Sequence, residues 1–152
     1  MQKYCEDLKR NNLGSTIVLE CTPEEDSHHF QCVFICYSAS ATGFQYCCLV
    51  LGLDGTHLIS KYHGILLTAT ATDSNELLFL LAYAVVCNEN DDNWLWFTQL
   101  LHGVIVQYAP SFLDLQMLTF VSDCQKGLLE ALSTVFPQSL SGYCLRHLYE
   151  NM

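Results

Sequence analysis

The chain has 152 residues, of which 51% are hydrophobic and 14% are charged, and its mean hydropathy is +0.21. This composition excludes an intrinsically disordered protein, and the length suits one domain with a buried core. The formal net charge of −10, from 6 Lys and Arg against 16 Asp and Glu, excludes a strongly basic, stand-alone DNA-binding module.

The first third of the chain predicts a helix, two strands and a short helix. Residues 1–14 are expected to form the end of a helix, and the β-branched run 16–20 is typical of an edge strand. The polar stretch 22–29 is predicted to be a turn. Apolar residues alternate over 30–36, which indicates a strand, and a short helix is expected over 38–47.

Three strand candidates follow one another in the middle of the chain. The first, 48–54, is apolar until Asp54, the second is 64–72, and the third is 77–87. The link between the second and third, residues 73–76, has the sequence Asp-Ser-Asn-Glu, which is typical of a turn. The second and third strands are therefore predicted to form a hairpin.

The last third alternates between helices and strands. An amphipathic helix is predicted over 90–107, a strand over 117–121, a helix over 125–136 and a short strand over 140–144. A Ser-x-x-Gln pattern before the second of these helices predicts a capping box. Hairpins followed by alternating units indicate an α/β protein with a mixed sheet and helices on its faces.

Targeting signals and cysteine usage indicate an intracellular, reduced protein. Residues 1–10 are too polar for a secretory signal, and the longest apolar run, 77–86, is too short to cross a bilayer. The nine cysteines are odd in number and form no paired Cys-x-x-Cys array. They are predicted to be free, mostly buried thiols.

Two acidic residues follow apolar runs where a strand is expected. Asp54 comes after residues 49–53, and Asp123 comes after residues 118–121. A buried carboxylate costs several kcal/mol unless it is paired or bound to a metal. Carboxylates from two strands that meet at one edge of a sheet can hold hard divalent cations, and two such ions about 3.5–4 Å apart support phosphodiester chemistry.

Both acids also have a purely structural interpretation, which the spacing alone leaves open. Asp54 and Gly55 together form a common turn dipeptide. Asp123 could simply favour the start of the helix that follows it.

Several motifs, in a fixed order, resemble the transposase domain of Mutator-like elements (MULE). The resemblance covers about residue 30 to the end of the chain. It rests on LGLDGTHL at 51–58, KYxG at 61–64, LAYAVV at 81–86, ENxxNWxWF at 89–97, VSDxQKGL at 121–128 and GYCLRHL at 142–148.

The resemblance implies an RNase H-like α/β fold with a mixed sheet of about five strands and an Asp-Asp-Glu metal triad. Asp54 and Asp123 match the first two acids of the triad. The third lies beyond the family's Cys-x-x-His motif, so it is expected after Met152 and the core is expected to be incomplete. The late glutamates within the chain are Glu130, predicted on a solvated helix face, and Glu150.

The resemblance also implies a domain division, a reaction and partners. Residues 1–29 are expected to form an N-terminal extension and 30–152 the catalytic core. The complete enzyme would cleave and transfer DNA strands with two Mg²⁺ or Mn²⁺ ions, so transposon ends and target DNA are the expected partners. A homo-oligomer is left open. The expected location is the nucleus. No membrane partner is expected.

Three further residues are accessory candidates. His57 lies close to the first acid and could contact a phosphate or simply pack. Cys144 and His147 match the family's Cys-x-x-His, but one such pair is at best half a zinc site, so zinc binding there stays open. The aromatic residues of the 90–107 helix, and the acidic pair at its start, are interpreted as packing and capping residues: Trp94, Trp96, Phe97, Asp91 and Asp92.

The sequence also leaves room for a different class of function. Cys124 stands beside the second acid where the family commonly has Arg, which weakens the local support for a phosphate. Together with the acidic net charge, this keeps two alternatives open. One is a non-catalytic transposase relic or a host-adopted DNA-binding or interaction protein, and the other is an unrelated RNase H-like nuclease, against which the Cys-x-x-His pattern argues.

Overall fold

The computed structural model of the chain describes residues 1–24, 27–59, 64–108, 115–123, 125–145 and 149. These residues form an α/β fold in which a seven-stranded mixed sheet is flanked by four helices. The helices are α1 (Gln2–Asn11), α2 (Ser38–Gly43), α3 (Asp91–Tyr108) and α4 (Lys126–Val135). The strands are β1 (Thr16–Glu24), β2 (Ser27–Cys36), β3 (Val50–Leu58), β4 (Gly64–Thr72), β5 (Leu78–Val86), β6 (Thr119–Ser122) and β7 (Leu140–Tyr143).

The strands lie in the order β1-β2-β5-β4-β3-β6-β7. Every neighbouring pair is antiparallel except β3 with β6 and β6 with β7, which are parallel. Five strands, β3 to β7, therefore form a mixed sheet, and β1 and β2 extend it at one edge. This arrangement confirms the predicted α/β class and is compatible with an RNase H-like fold.

One face of the sheet packs against α2, α3 and α4 and contains the main core. We call it the helix face. On β3 it carries Leu51 and Leu53, and the register places Phe120 of β6 beside Leu51. The largest fully buried side chains of this core are Trp94, Phe34, Phe97, Phe120, Leu51, Leu53, Leu67, Leu81, Leu101, Leu118, Leu128 and Leu132.

The opposite face is covered differently along the sheet, and we call it the acid face because Asp54 lies on it. Helix α1 packs on its β1 and β2 end, where Cys5 joins a smaller core with Ile17, Val33 and Ile35. Towards the centre of the sheet this face is more open, since Val50 is 44% and Leu80 is 45% exposed.

The predicted turn over 22–29 is wrong. Its described residues continue β1 and β2, where Thr22 pairs with His29 and Glu24 pairs with Ser27. Polar composition does not exclude a strand here, because an edge hairpin satisfies its backbone through the ladder, and Thr22 and His29 are exposed.

The predicted end of the 48–54 strand at Asp54 is also wrong. Strand β3 continues to Leu58, and Asp54 and Gly55 pair with Thr68 and Leu67 of β4. The interpretation of this dipeptide as a turn fails for the same reason. The apolar pattern stops at Asp54 because the strand becomes more exposed there, whereas its backbone pairing with β4 continues.

The starts of the two long helices differ from each other. At α3, Asn90 Oδ1 accepts the Asn93 N–H at 2.8 Å, so Asn90 caps the helix, whereas Asp91 and Asp92 lie in its first turn. At α4 the predicted capping box is wrong, because Ser122 Oγ donates to the Asp123 carbonyl at 3.0 Å. The residue before α4, Gln125, makes no side-chain cap hydrogen bond.

The hairpin of β4 and β5 is confirmed, together with its turn. Asp73 Oδ1 accepts the N–H groups of Asn75 and Leu77 at 2.8 and 2.9 Å. Among the helices of the described ranges, none combines the length and the apolar character that crossing a membrane requires.

Candidate functional site

Asp54 lies near the middle of β3, on the acid face of the sheet. Alternation along the strand places it on the side opposite to the buried Leu51 and Leu53, and it is half-buried. Thr56 Oγ1 lies 3.5 Å from Asp54 Oδ2, and Thr68 Oγ1 donates to the Asp54 carbonyl at 3.4 Å. The strand backbone and two threonine hydroxyls therefore hold this acid.

Asp123 directly follows β6, the strand parallel to β3. The ladder between the two strands ends with Gly52 opposite Val121. Continued by two residues, that register would bring Asp123 beside Asp54. Neighbouring strands are about 4.8 Å apart, so the strand pairing predicts that the backbones of the two acids lie close together.

Asp123 is half-buried, and its side chain is held by the start of α4. Its Oδ1 accepts the backbone N–H of Gln125 at 3.2 Å. This contact orients the carboxylate at a helix N-terminus, where negative charge is favoured. The sequence predicted such a helix contact as an alternative to metal binding, and the geometry is compatible with both.

The two acids form a pair rather than a complete cation site. Within the described ranges, no group of three or more His, Cys, Asp or Glu residues is arranged to hold a metal ion. A pair of carboxylates supplies hard oxygen ligands, but Mg²⁺ and Ca²⁺ bind with six or more oxygens, which include water or substrate.

His57 lies on β3 beyond Asp54, on the opposite side of the strand. It is exposed and lines an open cavity of about 460 Å³ together with Glu89 and Gln125. It is thus close to the acid-bearing segments in the chain, but alternation directs it to the helix face.

Of the Cys-x-x-His pair, only the cysteine can be placed. Cys144 follows β7, is half-buried, and its N–H donates to the Ser122 carbonyl at 2.7 Å. This bond ties the end of β7 to the end of β6, next to Asp123. His147 lies outside the described residues, as does Glu150.

Glu130 and the aromatic residues of α3 have structural roles. Glu130 lies on the solvated side of α4, 59% exposed and 3.5 Å from Lys126 Nζ, as predicted. Trp94 and Phe97 are fully buried, which confirms their packing role. Trp96 donates its indole N–H to Glu20 at 2.7 Å and so links α3 to β1.

The structure places two residues beside the acids for which the sequence predicted no role in the site. Glu89 Oε1 accepts the Trp94 indole N–H at 3.1 Å, and its carboxylate lies over Gly55. Gln125 Oε1 is buried and has no hydrogen-bond partner among the described residues. Both residues belong to motifs that carried the resemblance, but spacing alone gave Glu89 no role and gave Gln125 only that of a helix cap.

The eight described cysteines are all free, as predicted, although fewer are buried than expected. Cys5, Cys32 and Cys36 are buried, whereas Cys48 and Cys87 are exposed. Burial raises the pKa of the Cys32 and Cys36 thiols to about 12, and the neighbouring Glu20 adds to the effect at Cys32.

Comparison with known proteins agrees with this arrangement of strands and motifs. The family model for the MULE transposase domain matches residues 50–151, which include both acids and every strand from β3 to β7. A search of curated proteins gave no match. Because the matched segment covers more than half of its length, the chain belongs to the MULE transposase domain family.

Proposed function

We propose that the chain is part of the catalytic core of a Mutator-like DNA transposase, which cleaves and transfers DNA strands with the help of divalent cations. One observation carries the proposal. Within a MULE transposase domain, Asp54 lies on β3 and Asp123 directly follows β6, the strand that pairs with β3 in parallel, and this register continued by two residues would bring the acids side by side.

In this proposal Asp54 and Asp123 hold Mg²⁺ or Mn²⁺ through hard carboxylate oxygens. When bound, such ions activate an attacking oxygen and stabilise the leaving one. The chain's own groups supply alignment: the Thr56 hydroxyl lies against one Asp54 oxygen, and the Gln125 N–H binds Asp123. Fixed ligand positions matter because alignment of the reactants contributes much of such a rate enhancement.

A third carboxylate is needed to complete the proposed site. We propose that it is a glutamate outside the described residues, as the family pattern implies. The more open central part of the acid face leaves space for a further segment beside the pair. His57, Cys144 and His147 remain accessory candidates, with roles close to the DNA rather than on the cation.

The proposed substrates are the transposon ends and target DNA, and the proposed location is the nucleus. The net charge of −10 is unfavourable for DNA, since phosphate contacts normally come from Lys and Arg. In this proposal the positive charge comes from other parts of the transposase or from the bound cations.

A second candidate function is non-catalytic. The acidic charge, together with a pair rather than a triad of acids among the described residues, favours an inert transposase relic or a host-adopted interaction protein. Terminal inverted repeats around the gene, with a downstream coding segment that contains a glutamate, would support the transposase. An intact gene without such repeats would support adoption by the host.

The proposal is tested by titrating the chain with Mn²⁺ and following the paramagnetic broadening of backbone amide signals by NMR. We expect broadening centred on residues 54 and 123. Asp54→Asn and Asp123→Asn keep the side-chain shape, so each should leave the fold intact and weaken Mn²⁺ binding by more than about tenfold.

The matched control is Asp7→Asn, which removes an exposed carboxylate on α1 that pairs with Arg10. It should leave the broadening around the acid pair unchanged. Broadening spread over the acidic surface, or unaffected by Asp54→Asn, would contradict the proposed cation site.

A further inference from the structure

The connection from β5 into α3 touches the segments next to both acids. Residues 89–91, which we call the link segment, are the last two residues before α3, Glu89 and Asn90, and its first residue, Asp91. Glu89 lies over the residue that follows Asp54, and Asp91 lies against the helix that follows Asp123. Both contacts are made at glycines.

At β3, the Glu89 carboxylate occupies the space that a side chain at position 55 would need. A Cβ added to Gly55 would lie 2.8 Å from Glu89 Oε1 and 3.0 Å from Glu89 Cδ. The Glu89 side chain is held in place because it accepts the indole N–H of the fully buried Trp94. The contact therefore links β3, next to Asp54, to the core of α3.

At α4, the approach is made by backbone as well as side chain. A Cβ added to Gly127 would lie 3.0 Å from both the Cα and the Cγ of Asp91. Gly127 is the second residue of α4, whose start holds the Asp123 carboxylate through the Gln125 N–H. The position of Asp91 therefore limits where α4, and with it Asp123, can lie.

These contacts matter because the ladder between β3 and β6 does not extend to the acids, although β4 still pairs with Asp54. The β3–β6 pairing ends with Gly52 opposite Val121, two residues before each acid. Beyond that point, the spacing between Asp54 and Asp123 depends on what packs against their segments. The link segment contacts both segments through residues only two positions apart.

We propose that Glu89 and Asp91 are positioning residues that set the distance between the Asp54 and Asp123 carboxylates. The proposal rests on the proposed cation site for its functional meaning, but the geometric claim stands without a metal. Neither residue is expected to bind the cation or the DNA. Each acts through the backbone of the segment on which it packs.

The test separates the effect of the length of the Glu89 side chain from the effect of its charge. Glu89→Gln loses the charge but keeps the length and an oxygen that accepts the Trp94 indole N–H. Glu89→Asp keeps the charge but is one methylene shorter, so the carboxylate withdraws from Gly55. Positioning predicts Mn²⁺ affinity close to wild type for Glu89→Gln and a loss of about tenfold for Glu89→Asp, as found for groups that orient metal ligands.

A second pair of variants tests Asp91 without altering any charge. Gly127→Ala should push α4 away from Asp91 and weaken Mn²⁺ binding in the same direction. Gly103→Ala in α3 is its control, because an added Cβ there meets nothing within 4 Å. Glu130→Gln and Glu130→Asp, on the solvated side of α4, are the controls for Glu89.

A metal-free measurement keeps this proposal separate from the proposed function. The side-chain carboxyl ¹³C signals of Asp54 and Asp123 should shift more in Glu89→Asp than in Glu89→Gln, with no cation present. If wild type shows no localised Mn²⁺ binding, the proposed function fails, and these signals still decide the positioning role. Since Gly127→Ala could prevent folding, the Glu89 pair decides in that case.

Three results would overturn the positioning role. In the first, Glu89→Asp binds Mn²⁺ as tightly as wild type. In the second, Glu89→Gln loses as much affinity as Glu89→Asp, so that the loss does not depend on the reach of the side chain. In the third, the carboxyl signals of Asp54 and Asp123 are no more sensitive to Glu89→Asp than to Glu130→Asp.

Discussion

The reactivity of a single residue in this protein depends on its surroundings as well as on its chemical type, and the cysteines show this clearly. Cys36 is almost fully buried, and its Sγ–H donates to the Leu81 carbonyl at 3.2 Å. Cys48 has the same side chain but is exposed. The thiolate is the reactive form of cysteine, so burial alone makes two identical side chains chemically different.

Iodoacetamide alkylation of the native protein at about pH 8 should therefore discriminate among the cysteines. We expect Cys48 and Cys87 to be modified and Cys32 and Cys36 to be protected, because the buried thiols have a pKa of about 12 and stay protonated. Peptide mass spectrometry measures the modified fraction at each site. Rapid modification of Cys36 in folded protein would contradict its burial.

The same pKa shift predicts how stability depends on pH. The thiols of Cys32 and Cys36 have a pKa of about 12 in the folded chain and 9.0 as the reference value for an unfolded one. The unfolded state therefore loses these protons first, and this contribution to folding stability, complete below pH 9, declines as the pH rises above it. Urea denaturation repeated at rising pH measures this decline.

At the scale of elements, the start of α3 connects the two parts of the candidate site. Its first turn contains the cap from Asn90, and the residues on either side of Asn90 approach β3 and α4. The capping bond satisfies one of the N–H groups that a helix leaves unpaired at its N-terminus. A local helix signal therefore has a tertiary consequence here.

Asn90→Ala should lower the free energy of unfolding by about 1 kcal/mol, the usual cost of losing a helix cap. Urea denaturation followed by circular dichroism gives this value. Gln99→Ala, at an exposed position of the same helix, is the control and should change stability little. Equal losses from the two substitutions would mean that the cap contributes nothing specific.

At the scale of the whole molecule, the fold and the net charge favour different conclusions about DNA binding. The fold and the family match are those of a transposase domain, whereas 16 acidic residues against 6 basic ones repel a DNA backbone. Net charge affects association and not the fold, so the two observations do not conflict. If the proposed function is right, DNA binding depends on more than the residues of this chain.

The chain alone should therefore bind DNA weakly at physiological ionic strength. We expect a dissociation constant no tighter than about 10⁻⁴–10⁻⁶ M, the range of non-specific binders. Fluorescence anisotropy with labelled duplex DNA, over a series of salt concentrations, measures it. Tight binding without a divalent cation would contradict the electrostatic argument.

Much of the architecture was predictable from local sequence, because strands and helices leave different periodic patterns. The hairpin of β4 and β5, the amphipathic face of α3 and the short strand β7 were all predicted close to their observed bounds. The errors came where exposure breaks the pattern. From composition, part of the β1–β2 hairpin was predicted to be a polar turn, and β3 was predicted to end at Asp54. Both predictions failed because local composition does not show which backbone segments pair.

The sequence by itself determined which carboxylates matter as candidates and which family the chain resembles, because both are written in residue type and order. Only the tertiary structure decided that β3, which carries Asp54, and β6, which leads into Asp123, are parallel neighbours, because their pairing joins segments almost seventy positions apart in the sequence. It also decided that Glu89 lies over Gly55 and Asp91 against Gly127. Such contacts depend on how close two backbones can approach, and spacing along one chain does not contain that distance.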